Sequence, residues 1–126
     1  MALVFVYGSL KQGFHNHAVL HGAEFLGEAR TRDMYYMVGL GGYPGVLRET
    51  NNPNQAYVLG EVYKVDDKTL ARLDRLEGNG SFYNREQIHI QYIHDFHIES
   101  VWIYFLMEYS GARFIKPIDG LLYWGG

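Results

Sequence analysis

Most of this 126-residue chain has the pattern of short β-strands, and only one segment has a clear helical period. That segment begins at Asp66, a good N-cap, and it carries Leu70, Leu73 and Leu76 on one face at intervals of three residues. A single long helix is too little to cover both faces of an open sheet. The sequence therefore predicts an α+β fold with a strongly bent or barrel-like sheet, in preference to a doubly wound one.

The predicted elements fit one domain that spans residues 1–126. A polar segment at residues 11–17 leads into a short helix, a polar loop is expected at 51–54, and a tail without regular pattern at 116–126. The polar turn His94-Asp95 joins the last two strands. The predicted strands are residues 3–6, 24–37, 56–65, 85–93 and 99–107, and residues 43–47 are predicted to form a turn that enters a further short strand.

The composition excludes several classes of function. The net charge is −3 and 48% of the residues are hydrophobic, which argues against disorder and against nucleic-acid binding through a basic face. Apolar runs are too short to cross a bilayer, and the first residues lack the pattern of a signal peptide. The chain has no cysteine, so disulfides and thiol catalysis are excluded, and we expect a cytoplasmic location.

The chain opens on an apolar strand that breaks abruptly at the turn Tyr7-Gly8-Ser9-Leu10. Glycine adopts backbone dihedrals that a Cβ forbids, so a turn of this kind can direct its N–H groups outward. Unpaired N–H groups that converge form a concavity for anions such as a carboxylate. The sequence therefore predicts a substrate site at this turn.

A second candidate is Glu77, which lies at the end of the predicted helix, after Leu76 (expected in the core) and before Gly78. A carboxylate there is unfavourable, because the C-terminal end of the helix dipole is already negative. This placement, and any burial, would raise its pKa. A raised pKa suits a general base or acid near neutral pH. An exposed glutamate at a frayed helix end is the alternative interpretation.

Taken together, two motifs resemble those of a known family. The first is Tyr7-Gly8-Ser9-Leu10 followed by Gly13-Phe14-His15-Asn16-His17, and the second is Leu73-Asp74-x-Leu76-Glu77-Gly78 followed by Tyr83-x-Arg85. They resemble the Y-G-[ST]-L-x-x-G-x-x-N-H and L-D-x-x-E-G…Y-x-R patterns of the γ-glutamylcyclotransferase-like family, which includes γ-glutamylamine cyclotransferases and AIG2-like proteins. The tail from Lys116 to Trp124 is loosely similar to the family's closing P-x-G-x-W segment.

The resemblance implies a small mixed, strongly bent β-barrel with a few flanking helices, and a pocket between the opening turn and Glu77. It also implies an enzyme, of the acyltransferase or lyase class, in which the substrate's α-amine attacks its own γ-glutamyl amide and releases 5-oxoproline. Glu77 would be the general base and acid. The residues implied in substrate binding are Tyr7, Gly8, Ser9, Leu10, Tyr83 and Tyr104.

The resemblance implies no metal and no cofactor, and a small-molecule γ-glutamyl substrate as the partner. We expect no nucleic-acid or membrane partner, and either a monomer or a homodimer. The leaving group stays open among a free amino acid, the ε-amine of a lysine and another amine. Two further expectations are that Asn16 fastens the turn to the following helix and that Arg85 pairs with a buried carboxylate or carbonyl.

Three other interpretations remain open from the sequence. A non-catalytic family member could bind a small acidic metabolite or a protein partner in the same pocket. Glu77 and Asp74 could act as a carboxylate pair, as in glycosidases. His15, His17 and His21 are close enough to suggest a metal site, although capping or surface histidines explain them better.

Overall fold

The computed structural model describes residues 1–48, 53–107 and 112–125, so half of the predicted loop, Asn51 and Asn52, lies outside the described residues. The helical elements are α1 (Asp67–Glu77) and a 3₁₀ turn (His17–Leu20). The strands are β1 (Ala2–Val6), β2 (Glu24–Thr31), β3 (Tyr36–Gly39), β4 (Pro44–Leu47), β5 (Tyr57–Val65), β6 (Tyr83–Tyr92), β7 (Ile98–Leu106), β8 (Arg113–Phe114) and β9 (Leu121–Leu122).

Five strands close into a barrel in the order β1-β5-β2-β6-β7. Closure comes from a parallel pairing of β7 with β1 at Val4 and Trp102. A register shift between Phe25 and Gly27 bends β2, as bulges do in closed sheets. Beyond the barrel, β4, β3 and β8 extend the sheet from β7, and β9 pairs with β5. The predicted α+β fold with a strongly bent, barrel-like sheet is confirmed.

Successive side chains along each strand point to opposite faces of the sheet, and this alternation produces two packed layers. One buried cluster takes a residue from each barrel strand, namely Phe5, Val62, Ala29, Ile90 and Ile103. The neighbouring positions face the other way and form a second cluster with Leu20 of the 3₁₀ turn and Leu73 of α1. The helical elements therefore cover one outer side of the barrel, at the end of β1.

Helix α1 is capped as predicted at its start and at its end. The Asp66 side chain accepts a hydrogen bond of 2.7 Å from the Thr69 N–H. Gly78 adopts a left-handed φ of 59° and its N–H bonds back to the helix, a conformation that glycine allows at low cost. The expectation for Leu76 was wrong. Its side chain is 44% exposed, because the helix ends beside an open cleft instead of against the core.

Two further expectations were wrong. Residues 24–37 are not one bent strand, because the Thr31 hydroxyl bonds to the Asp33 carbonyl and to the Val58 N–H, which stops β2. The tail was expected to have no regular pattern. Instead β9 lies in it, and Trp124 is only 4% exposed in the barrel core.

Within the described ranges, no helix is long and apolar enough to cross a membrane.

Candidate active site

A cleft of about 350 Å³ opens between the end of β1, the start of β4 and the end of α1. This volume lies within the range of small-molecule sites. The cleft is lined by all seven residues that the sequence analysis selected, Tyr7, Gly8, Ser9, Leu10, Glu77, Tyr83 and Tyr104. The fold thus brings together two motifs and a strand residue that are far apart in the sequence.

The opening turn is held by its own hydrogen bonds. The Lys11 N–H donates to the Gly8 carbonyl at 3.0 Å, and the Asn16 N–H donates to the Ser9 carbonyl at 3.0 Å. The Asn16 amide nitrogen also donates to the Ser9 hydroxyl at 2.9 Å. The expectation that Asn16 fastens this turn to the following helical turn is confirmed.

Glycine is needed in this turn for a different reason from the one predicted. Gly8 does not have a positive φ. A Cβ at Gly8 would lie 2.7 Å from the Cγ and Cδ atoms of Pro44, far inside van der Waals contact. The small residue therefore allows β4 to approach the turn, and that approach forms one side of the cleft.

Two backbone donors of the turn remain available for a ligand. Among the described residues, the N–H groups of Ser9 and Leu10 donate no hydrogen bond. Such groups in a concave turn can hold an anionic oxygen. This arrangement agrees with the site predicted at the turn.

Three tyrosines form fixed walls of the cleft. The Tyr7 hydroxyl donates to the Tyr104 carbonyl at 2.7 Å and accepts from the Val46 N–H at 3.2 Å. The Tyr83 hydroxyl donates to the Pro44 carbonyl at 2.7 Å. Burial raises the pKa of Tyr7, Tyr83 and Tyr104. These phenols therefore stay neutral and hold their positions.

A partly buried network lies behind Tyr104. Asp74 accepts a hydrogen bond of 2.7 Å from the Tyr104 hydroxyl and one of 2.9 Å from Arg85 Nε. The Arg85 guanidinium also lies over the Trp102 ring at 4.2 Å. The predicted pairing of Arg85 with a carboxylate is confirmed. Asp74 does not line the cleft, so the structure gives no support to a carboxylate pair of Glu77 and Asp74.

Glu77 is the acidic residue that lines the cleft in the described part of the chain. It is partly buried, and burial raises the pKa of its carboxyl from 4.5 to about 7. No described group forms an ion pair or a hydrogen bond with the carboxylate. Such a group exchanges a proton readily near neutral pH.

Several lining residues were not found by sequence analysis. Pro44 packs on Gly8 and accepts from Tyr83, while Tyr43, Arg75, Phe82 and His15 lie toward the opening. Tyr43, Phe82 and His15 lie in connecting segments, for which the sequence carries no periodic signal, although Phe82 directly precedes a motif residue. Arg75 belongs to α1 and Pro44 to β4. Their positions depend on how β4 and β6 meet in three dimensions.

Lys11 connects the opening turn to the tail. Its side chain is 4% exposed, its Nζ donates to the Trp124 carbonyl at 2.6 Å, and it lies 3.9 Å from the centre of the Tyr123 ring. Burial lowers the pKa of its ammonium. The tail thus supports the turn from the side opposite the cleft.

The histidines near the turn have structural contacts. His17 Nδ1 lies 2.9 Å from the Leu10 carbonyl oxygen, and His15 lines the cleft. In the described ranges, no group of three or more histidine, aspartate or glutamate residues is arranged to hold a metal ion.

Known proteins resemble this chain in sequence and in structure. Residues 4–120 match the family described as gamma-glutamyl cyclotransferase, AIG2-like. A Methanocaldococcus jannaschii protein, provisionally named a gamma-glutamylcyclotransferase, is 40% identical over 113 residues, which cover 88% of this chain and 89% of that protein. A Bos taurus gamma-glutamylaminecyclotransferase is 42% identical over 96 residues, 71% of this chain and 56% of that protein. The crystal structure of an AIG2-like protein from Mus musculus superposes with a TM-score of 0.78 at 30% identity, covering 88% of this chain and 80% of that one.

Proposed function

The chain belongs to the gamma-glutamyl cyclotransferase, AIG2-like family, and we propose that it is an enzyme that cyclises the γ-glutamyl group of a small amide. The products are 5-oxoproline and a free amine or amino acid. The observation that carries this proposal is the position of Glu77, a carboxyl with a pKa raised to about 7, in the same cleft as the free N–H groups of the opening turn.

The proposed reaction is intramolecular. The substrate's α-amino nitrogen forms a bond to its own γ-carbonyl carbon, and the bond from that carbon to the leaving nitrogen breaks. The electron pair goes to the leaving nitrogen, which takes up one proton. Because the nucleophile is tethered, holding a productive conformer supplies much of the acceleration, since effective molarities reach ~10⁵–10⁸ M.

In this proposal Glu77 moves the proton. Its ionised carboxylate accepts a proton from the substrate's α-ammonium, and the resulting carboxylic acid donates that proton to the leaving nitrogen. The attacking nitrogen keeps one hydrogen in 5-oxoproline, so its remaining proton is released to water. A pKa near neutrality allows both steps, whereas the carboxylate of an ordinary glutamate would be too weak a base to take the proton from the ammonium. The cleft around it is walled by neutral tyrosines, which do not compete for the proton.

The opening turn binds the negative oxygens in this proposal. The N–H groups of Ser9 and Leu10 can donate to the substrate's α-carboxylate or to the oxyanion that forms at the γ-carbonyl. The packing of Gly8 on Pro44 and the hydrogen bonds from Asn16 hold the turn in place. Tyr7, Tyr83 and Tyr104 enclose the γ-glutamyl group.

Release of 5-oxoproline from a panel of γ-glutamyl amides, measured for the wild type and for Glu77→Gln, tests this function. We expect the substitution to lower kcat by a factor of about 10²–10⁴, because it removes the acid and base while keeping the shape of the side chain. Glu24→Gln, at an exposed glutamate on β2 outside the cleft, is the matched control and should retain activity.

Two results would contradict the proposal. Equal activity of Glu77→Gln and the wild type would remove Glu77 from the reaction. Binding of γ-glutamyl compounds without any turnover by folded protein would favour the non-catalytic alternative, in which the cleft binds a small acidic metabolite.

A further inference from the structure

The residues that line the cleft divide by depth. The inner ones, Tyr7, Leu10, Tyr83 and Tyr104, are buried, whereas those at the rim are exposed. If the proposed function holds, on which this inference rests, the inner part takes the γ-glutamyl group that all substrates share. The leaving amine then lies at the rim, because it must differ between substrates and depart.

The rim is unusually apolar. Tyr43, Leu76 and Phe82 are 39%, 44% and 40% exposed, respectively, and all three line the same opening. When large apolar side chains gather around one concave opening, they mark a surface that a ligand covers.

The aromatic residues form a continuous wall from the interior to the opening. The Phe82 ring meets the buried Tyr83 ring edge to face at 5.1 Å and meets the exposed Tyr43 ring in the same way at 6.1 Å. Each contact fixes the orientation of the next ring. A group that leaves the inner part therefore passes along an ordered aromatic surface.

The side chains at the rim that can carry charge are all basic. The exposed lining residues that can carry charge are Arg75 and His15, and none of the exposed lining residues in the described ranges is acidic. Arg75 forms no ion pair with a described residue. The exposed rim offers no carboxylate to an additional ammonium group, which would find only the aromatic faces there, whereas it can accommodate a neutral group or a carboxylate.

We propose that the leaving amine carries a large apolar group, aromatic or branched aliphatic, and no positive charge of its own. Tyr43, Leu76 and Phe82 contact that group and determine specificity. The preferred substrates are γ-glutamyl derivatives of apolar amines or of apolar amino acids, in preference to a γ-glutamyl group on the ε-amine of lysine.

The test compares kcat/KM, measured by 5-oxoproline release, for four substrates. These are γ-glutamylphenylalanine, γ-glutamylphenethylamide, γ-glutamylethylamide and ε-(γ-glutamyl)lysine. Apolar pockets discriminate by about 10- to 200-fold. We therefore expect both phenyl substrates to exceed the ethylamide and the lysine derivative by at least about tenfold.

The rim variants assign the preference to named residues. Phe82→Ala should reduce the ratio of kcat/KM for the phenethylamide to kcat/KM for the ethylamide toward unity. Tyr43→Ala, on a separate segment, should reduce this ratio in the same direction, and it provides the test if Phe82→Ala fails to fold. Phe96→Ala is the control, because Phe96 is 72% exposed and lies outside the cleft. Its ratio should equal that of the wild type.

The outcomes separate this inference from the proposed function. Release of 5-oxoproline with no preference for phenyl substrates, or with the lysine derivative preferred, would overturn the inference and leave the function standing. A phenyl preference that both rim variants retain would also overturn it. No release from any substrate by folded protein would overturn the proposed function and this inference with it.

Discussion

Glu77 shows how one residue acquires a reactive character from its position. It ends α1 beside Gly78, whose left-handed conformation turns the chain away immediately afterwards. The carboxyl is left in the cleft, among tyrosine rings and without an ion pair to any described residue. Burial alone raises its pKa to about 7. The sequence predicted this raised pKa, although it attributed part of the effect to the helix dipole.

The same burial means that the ionised Glu77 carboxylate lowers the stability of the folded state at neutral pH. Because the folded-state pKa is raised, the unfolded chain releases the proton first, and stability falls as the pH rises from about 4.5 to about 7. Glu77→Gln avoids this loss. We expect the variant to match the wild type below about pH 4.5 and to be more stable by about 1–3 kcal/mol above about pH 7.

Urea unfolding across that pH range, with Glu24→Gln as the control, measures this difference. A Glu77→Gln variant whose stability follows that of the wild type at every pH would show that the carboxyl ionises as it does in water.

At the scale of elements, the cleft depends on β4 reaching the opening turn. Sequence analysis located both motifs that line the cleft but did not determine this approach, because the contact of Pro44, the first residue of β4, with Gly8 joins distant parts of the chain. It also gave the wrong reason for Gly8, which is required by the 2.7 Å approach of Pro44 and not by a special φ. Tertiary packing determines which residue lies against a glycine, and the local sequence does not encode that contact.

Gly8→Ala tests that approach. A Cβ would displace either the turn or Pro44, and overpacking of this kind costs about 1–3 kcal/mol. We expect a lower melting temperature and a raised KM for any γ-glutamyl substrate, because the N–H groups of the turn move. In Gly42→Ala, the control, a Cβ meets nothing within 4 Å and the φ is not positive. Equal behaviour of the two variants would count against the packing argument.

At the scale of the molecule, the fold class could be predicted because one helix cannot cover an open sheet. Two features could not be predicted, because both depend on pairings between distant strands. They are the closing of the barrel by β1 and β7 and the division of residues 24–37 into β2 and β3. The tail was also missed. Its short strand β9 and the buried Trp124 acquire order only by packing on the finished barrel.

The central claim is that the whole cleft serves one intramolecular cyclisation, and product stoichiometry tests it most directly. A γ-glutamyl amide is incubated with the wild-type protein, and 5-oxoproline, glutamate and free amine are quantified together, beside the same substrate with its α-amine acetylated. We predict equal amounts of 5-oxoproline and amine, no glutamate, and no cleavage of the acetylated substrate. Glutamate as the product, or cleavage of the acetylated substrate, would contradict the account.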